Sequence, residues 1–287
     1  MKINTINPLS KSALVMASLL ALTAPLPPAF GQATEMPAWV DTDSERRGYE
    51  IAMRSDNSDN GFGDSRVEAT MTLRNAAGQE TSRQLSFQTL ERADNTVGDK
   101  SVVVFHTPAD VEGTALLSHA HILEPDDQWL YLPALARVRR ISSANKSGPF
   151  VGSEFAFEDF TAVELNKYEH NYLTTEAITV DGETLPTDVV ERFPRYENSG
   201  YSRQVSYIDQ TIHQIRRIEF FDRRGDRLKT LDLGDYREYG DGIWRAHRLT
   251  MTNHQTGKST ELAYGEFQFG VGLTDTDFVR GVLERQH

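Results

Sequence analysis

"DDQWLYLPALARVRRISSANKSGPF", Asp126–Phe150, joins an unbroken apolar run (Trp129, Leu130, Tyr131, Leu132) to three arginines, Arg137, Arg139 and Arg140, across a hinge that opens with Pro133. Side chains of a strand alternate between its two faces, so "WLYL" is apolar on both and has to be covered on both. That predicts a central strand. In the basic run the same alternation sets Arg140 beside Val138 and opposite Arg137 and Arg139. Arg140 thus stands on the face a core would claim, and a buried arginine needs partners. Glu154, Glu158 and Asp159 of the following motif are the candidates.

Working outward, most of the chain has the same two-residue period. In "RVEATMTLR", Val67, Ala69, Met71 and Leu73 face one way while Glu68, Thr70, Thr72 and Arg74 face the other. "NAAGQ" turns the chain, and Arg83 to Glu91 reads as the returning strand. Similar runs, separated by turn signals such as "DRRGD" and "YGDG", predict roughly eleven strands with hairpin-length connections. The fold class is therefore mainly β (α+β), with one large antiparallel sheet, and not a doubly wound parallel fold. Two helices are expected, over 37–55 and over the terminal "TDTDFVRGVLER". Their apolar faces are Trp39, Val40, Tyr49, Ala52 and Met53 in the first, and Phe278, Val279, Val282 and Leu283 in the second. A sheet this large with so few helices is expected to wrap around them as a half-barrel, leaving an apolar cleft where ligands sit.

The chain opens with Lys2 and Lys11, an apolar run Ala13–Ala24, three prolines and small residues, which reads as a secretory signal peptide cleaved after Ala33. The expected organisation is a signal peptide at 1–33 and one domain at 34–287, localised to the periplasm. Cleavage removes two lysines and no acids, taking the formal charge from -12 to about -14. With no cysteine the chain offers no disulfide, thiolate metal site or thiol nucleophile. The acidic balance also argues against nucleic acid as a partner.

Enzyme signatures are missing from the sequence. "VGSEF" lacks the flanking glycine of a nucleophile elbow, and "GFGDSR" and "GVGLTD" lack the third glycine of a dinucleotide loop. His119 and His121 in "SHAHILEPDD" have a spacing that could hold zinc with a third ligand from His106, Glu124, Asp126 or Asp127. Strands often expose such polar pairs, so neither metal nor cofactor is expected. "SGPFVGSEFAFEDF" sets Phe150, Phe155, Phe157 and Phe160 among small residues, either as a mobile flap over a cavity or as a turn that inserts phenylalanines into the core.

"GFGDSRVEATMTLRNAAGQETSRQLSF", "FHTPADVEGTALLSH" and "DDQWLYLPALARVRRISSANKSGPFVGSEFAFEDF" resemble the outer-membrane lipoprotein-sorting proteins of the LolA-like superfamily, and most closely their exporter-associated subgroup. The resemblance covers nearly all of the chain after residue 33. It implies an incomplete β-barrel closed by a few helices, of the LolA/LolB type, with a hydrophobic cavity for acyl chains. It is similar to the soluble carrier, since no lipid-attachment cysteine follows the signal peptide. The implied function is carriage of a lipid or lipoprotein acyl chain towards the outer membrane. The partners would be an inner-membrane exporter and an outer-membrane acceptor. The alternative is an exporter adaptor whose cavity is filled by its own side chains. The expected cavity or rim residues are Trp129, Tyr131, Leu132, Arg137, Arg139, Arg140, Phe150, Phe155, Phe157 and Phe160, with the arginines orienting a head group or bracing the acids of the flap.

Overall fold

The computed structural model describes residues 36–92 and 97–284, so the signal segment lies outside the described residues. The elements below all belong to one unit, Pro37–His287. Helix α1 (Asp43–Asn57) starts later than the sequence suggests because Thr42 caps it. Thr42 Oγ1 accepts from the Glu45 amide, and the Glu45 carboxylate accepts from the Thr42 amide, satisfying two otherwise orphaned donors.

Fourteen strands follow. They are β1 (Asp64–Arg74), β2 (Glu80–Leu90), β3 (Lys100–Thr107), β4 (Ala115–His119), β5 (Asp127–Leu132), β6 (Arg137–Arg140), β7 (Tyr168–Val180), β8 (Glu183–Pro194), β9 (Tyr201–Asp209), β10 (Ile215–Asp222), β11 (Arg227–Tyr239), β12 (Ile243–Asn253), β13 (Ser259–Tyr264) and β14 (Gln268–Phe269). They form a single antiparallel sheet in the order β6-β5-β4-β3-β2-β1-β13-β12-β11-β10-β9-β8-β7, with β14 also pairing β1. The sheet is an incomplete barrel. The β1–β2 hairpin shows how local chemistry sets register: Asn75 Oδ1 accepts from the amides of Ala77 and Gln79, Gly78 takes φ +81°, and Arg74 is left opposite Glu80.

β6 and β7 are consecutive in the chain yet form opposite edges of the sheet. The connection over 141–167 therefore crosses the full width of the sheet, and it does so over the inner face. Phe150 and Phe155 are buried there against Met71, Leu85, Phe105, Leu116, Phe220, Met251 and Leu262. α1 covers the other end of that face, with Ile51 packed on Val190 and Ile208. Its approach to β7 is close: a Cβ on Gly48 would lie 2.7 Å from the amide nitrogen of Tyr172 and 2.8 Å from the carbonyl carbon of Asn171.

The outer face carries a second core. Val102, Val104, Ala115, Leu117 and Tyr131 are capped by Phe278 and Leu283. The C-terminal segment is not one helix. A 3-10 turn (Asp275–Phe278) and a single turn α2 (Arg280–Leu283) meet at Val279, whose extended backbone breaks the helix. The bend lets Phe278 and Leu283 reach the same apolar patch while Val279 stays 47% exposed.

The position of "WLYL" is a correction to the sequence reading. β5 is covered on both faces, yet it is next to the edge and not central. The edge strand is β6, where Arg137, Arg139 and Arg140 are exposed. Charged side chains on a short edge strand hinder pairing with another chain, which accounts for a basic run in an acidic protein.

Candidate ligand-binding cavity

Two adjoining chambers lie between the inner face and its covering elements. One has a volume of about 350 Å³ and apolar walls from Val67, Phe87, Val103, Phe160, Leu249 and Tyr264. The other, of about 530 Å³, lies beneath α1 and the 162–165 segment and is floored by Val190, Arg192, Ser206 and Ile208. Asp59, Asp99, Ala162, Gln214, Leu233 and Tyr236 line both chambers, so the two adjoin. Each is within the size range of small-molecule sites, roughly 300–1,000 Å³.

The second chamber is polar for a space enclosed by a hydrophobic shell. Asp59 is paired with Arg245, whose guanidinium also lies 4.8 Å over the Phe62 ring. Burial, reinforced by neighbouring carboxylates, pushes Asp56 and Asp99 up to about 6. Burial and then the charge of Asp99 push Glu164 up to about 7. Burial holds His170 down at about 4, so its imidazole is neutral near pH 7.

The phenylalanine segment is a pinned plug. Phe150 is fully buried and Phe155 nearly so, and the Phe150 ring centroid lies 4.3 Å from Phe160 and 5.6 Å from Phe105. Gln128 Nε2 donates to the Phe157 carbonyl at 2.7 Å. The Glu158 carboxylate accepts from the Gly200 amide at 2.8 Å and from Ser199 Oγ at 2.9 Å. Gly200 is required there, since a Cβ would meet Glu158 Oε1 at 2.8 Å and Ser147 Cβ at 2.7 Å. Phe160 alone of the four phenylalanines lines the apolar chamber, while Phe150, Phe155 and Phe157 fill the space beside it.

The other expected site residues are dispersed. Trp129 and Tyr131 do not face the cavity: cross-strand register places Trp129 opposite Arg140 and Tyr131 opposite Val138 on the outer face, under the C-terminal segment. Leu132 packs against the inner core with Leu130. Arg137 and Arg139 are exposed on β6. Arg140 is also exposed, with 67% of its side chain accessible, and it pairs with Asp127 rather than with Glu154, Glu158 or Asp159. The expectation of burial fails because the outer core ends at Trp129 and Val138, leaving the last position of the edge strand uncovered. His119 Nε2 bonds the Phe278 carbonyl at 2.8 Å, and His121 Nε2 lies 3.3 Å from Asp127. Among the described residues no three side chains form a metal-binding group.

Residues 98–285 match the model of a family described as an uncharacterized protein. A domain described as an outer membrane lipoprotein-sorting protein from Vibrio parahaemolyticus is 46% identical, with a TM-score of 0.79 over 84% of this chain and 100% of the other. The chain belongs to the LolA-like family of outer-membrane lipoprotein-sorting proteins. A DUF1329 family protein from Desulfovibrio piger is 29% identical, with a TM-score of 0.77 over 84% of this chain and 100% of that one. A LolA superfamily protein from Nitrosomonas europaea shares the fold, with a TM-score of 0.63 at 19% identity over 82% and 98% of the respective chains. No curated protein matches the sequence.

The LolA-like shell explains which polar residues a sequence reading passes over. His170 in "YEHNY", Arg192 in "VERFP" and Ser206 in "QVSYI" each occupy an inward position of an otherwise alternating strand. A polar residue on the apolar side of the alternation is the signal that could have singled them out.

Proposed function

We propose that this LolA-like protein is a periplasmic carrier that takes an acyl chain of a lipid or lipoprotein into its two-chambered cavity and passes it towards the outer membrane. The observation that carries this reading is an apolar chamber adjoining a polar one beneath a single sheet, with six residues lining both. That layout suits an amphipath better than a water-soluble substrate. Burying a sixteen-carbon chain yields a gross gain of about 12 kcal/mol at about 0.8 kcal/mol per methylene, from which ordering and desolvation costs are subtracted. A moderate net affinity fits a protein that must release its cargo. A non-enzymatic role agrees with the absence of nucleophile, dinucleotide and zinc-protease motifs from the sequence. No helix among the described residues is long and apolar enough to cross a membrane. Cleavage of 1–33 and export belong to the same proposal.

Native mass spectrometry of protein purified from periplasm without detergent, with lipid extraction alongside, tests the reading. Stoichiometric adducts of lipid mass in the wild type, lost in Leu249→Asp, are the expected result. A clean apo mass together with capture of the periplasmic domain of an exporter would favour the adaptor instead. The filling of one end of the inner face by Phe150 and Phe155 is the observation on that side.

A further inference from the structure

Three polar side chains meet the second chamber on adjacent strands. In the β7–β8–β9 register His170 lies opposite Arg192, Arg192 opposite Gln204, and Val190 opposite Ser206. All three are deeply buried, with His170 2%, Ser206 3% and Arg192 6% exposed. His170 Nε2 donates to the Leu165 carbonyl at 3.0 Å, leaving Nδ1 as an acceptor with no protein partner. Ser206 Oγ likewise has none. Arg192 Nε donates to Gln204 Oε1 at 2.7 Å, and its guanidinium lies 4.8 Å over the Tyr168 ring. Among the described residues no carboxylate forms an ion pair with it. A buried arginine lacking a counter-charge is costly, and so is a buried acceptor lacking a donor.

The chamber also holds Asp56, Glu91, Asp99 and Glu164, while its other cation, Arg92, is committed to Asp275, and its Asp59 is already paired with Arg245 of the neighbouring chamber. An anion alone would satisfy Arg192 and Ser206 and oppose the carboxylates. A cation alone would do the reverse. A polar end bearing both charges satisfies every group: anionic oxygens on Arg192 and Ser206, ammonium donors on His170 Nδ1 and the carboxylates.

We propose that the second chamber is a head-group subsite for a zwitterionic amphipath, an aminophospholipid in chemical class, whose anionic oxygens meet Arg192 and Ser206 while its ammonium faces His170, Asp56, Asp99 and Glu164. The acyl chain then extends past Ala162 and Leu233 into the apolar chamber. The inference rests on the carrier reading and adds the identity of the polar end.

The test compares three probes of equal chain length on the full mature protein by calorimetry or tryptophan fluorescence: lysophosphatidylethanolamine, lysophosphatidylglycerol and the uncharged monoacylglycerol. The zwitterion is expected to bind about tenfold or more tightly than either of the others, a ratio set by charged hydrogen bonds. Arg192→Gln should remove most of that preference, lowering affinity for the zwitterion far more than affinity for monoacylglycerol. Ser206→Ala, a milder change, should remove part of it, about threefold. Glu164→Gln should narrow the gap between zwitterion and anion. Equal binding of all three probes would overturn the head-group subsite while leaving carriage intact. A preference for phosphatidylglycerol would overturn the ammonium assignment. Binding of inorganic phosphate that Arg192→Gln abolishes, with no chain dependence, would make the site one for a free anion and overturn the lipid assignment. Failure of all three lipids to bind would instead remove the carrier reading on which the subsite rests.

Discussion

Lys229 Nζ lies 2.7 Å from Asp159 Oδ2 with both side chains almost fully buried, tying the phenylalanine plug to β11. Asp159 also accepts from the Tyr201 hydroxyl at 2.8 Å and from the Ala156 amide at 2.7 Å, and Lys229 donates to the Glu154 carbonyl at 3.1 Å. The pair is thus the centre of a satisfied network, which makes removal of one member far more costly than removal of both.

Asp159→Asn should lower unfolding free energy by about 3–5 kcal/mol, because Lys229 is left charged and buried without its counter-ion. Asp159→Asn/Lys229→Met should recover a large part of that loss. Urea denaturation of the three proteins checks both statements. A double variant as weak as the single one would show that the network, and not the orphaned charge, sets the cost.

Gly48→Ala should destabilise the protein by about 1–3 kcal/mol, since the backbone of Asn171 and Tyr172 is what the new methyl would meet, and backbone cannot rotate away. α1 would have to lift from β7. Helix propensity alone predicts the opposite, a gain of roughly 0.8–1 kcal/mol, so the sign of the change in thermal midpoint decides between packing and propensity.

The buried carboxylates should shift the pH of greatest stability below neutrality. Glu164 titrates at about 7 in the folded protein against an ordinary 4.5, so its contribution is fully present below 4.5 and is lost as pH rises through 7. Asp56 and Asp99 act in the same direction between about 4 and 6. His170 acts oppositely, its contribution being present above 6.5 and lost as pH falls towards 4. Glu164→Gln should therefore raise the thermal midpoint at pH 8 and leave it nearly unchanged at pH 4.5. A uniform shift at both pH values would contradict the assignment.

Ligand binding gives a second pH readout. An ammonium beside Asp56, Asp99 and Glu164 favours their ionised forms, so aminophospholipid binding releases protons and weakens as pH falls from 7.5 to 5.5. A purely anionic amphipath would gain affinity over the same range. Isothermal titration in buffers of different ionisation enthalpy measures the protons directly.

Arg140→Ala should change stability by less than about 1 kcal/mol, because its pairing with Asp127 is largely in solvent. Replacing Arg137, Arg139 and Arg140 together by serine should instead promote self-association through the unguarded edge of β6. Light scattering against protein concentration reads that effect, and a triple variant that stays monomeric would assign the arginines to another task.

The alternation of apolar and polar residues by itself determined the strands and the antiparallel class, because period two is written in every strand long enough to show it. The β1–β2 register was legible for the same kind of reason: Asn75 and Gly78 close a turn with their own short-range hydrogen bonds and backbone freedom. The apolar character of "WLYL" correctly implied cover on both faces. Which face meets the cavity was not legible, since period two separates the faces without saying which is inner. Trp129 and Tyr131 went to the outer core because the C-terminal Phe278 and Leu283, some 150 residues away in sequence, arrive on that side. The phenylalanine segment likewise declared itself apolar, but only the placement of β6 and β7 at opposite edges forced it across the inner face, where Lys229 could meet Asp159. His170, Arg192 and Ser206 converge through pairing of three strands, and the buried charge they share exists only once α1 and the 162–165 segment shut out water. Local periodicity fixed the elements; long-range closure of the sheet and the desolvation that came with it decided the site.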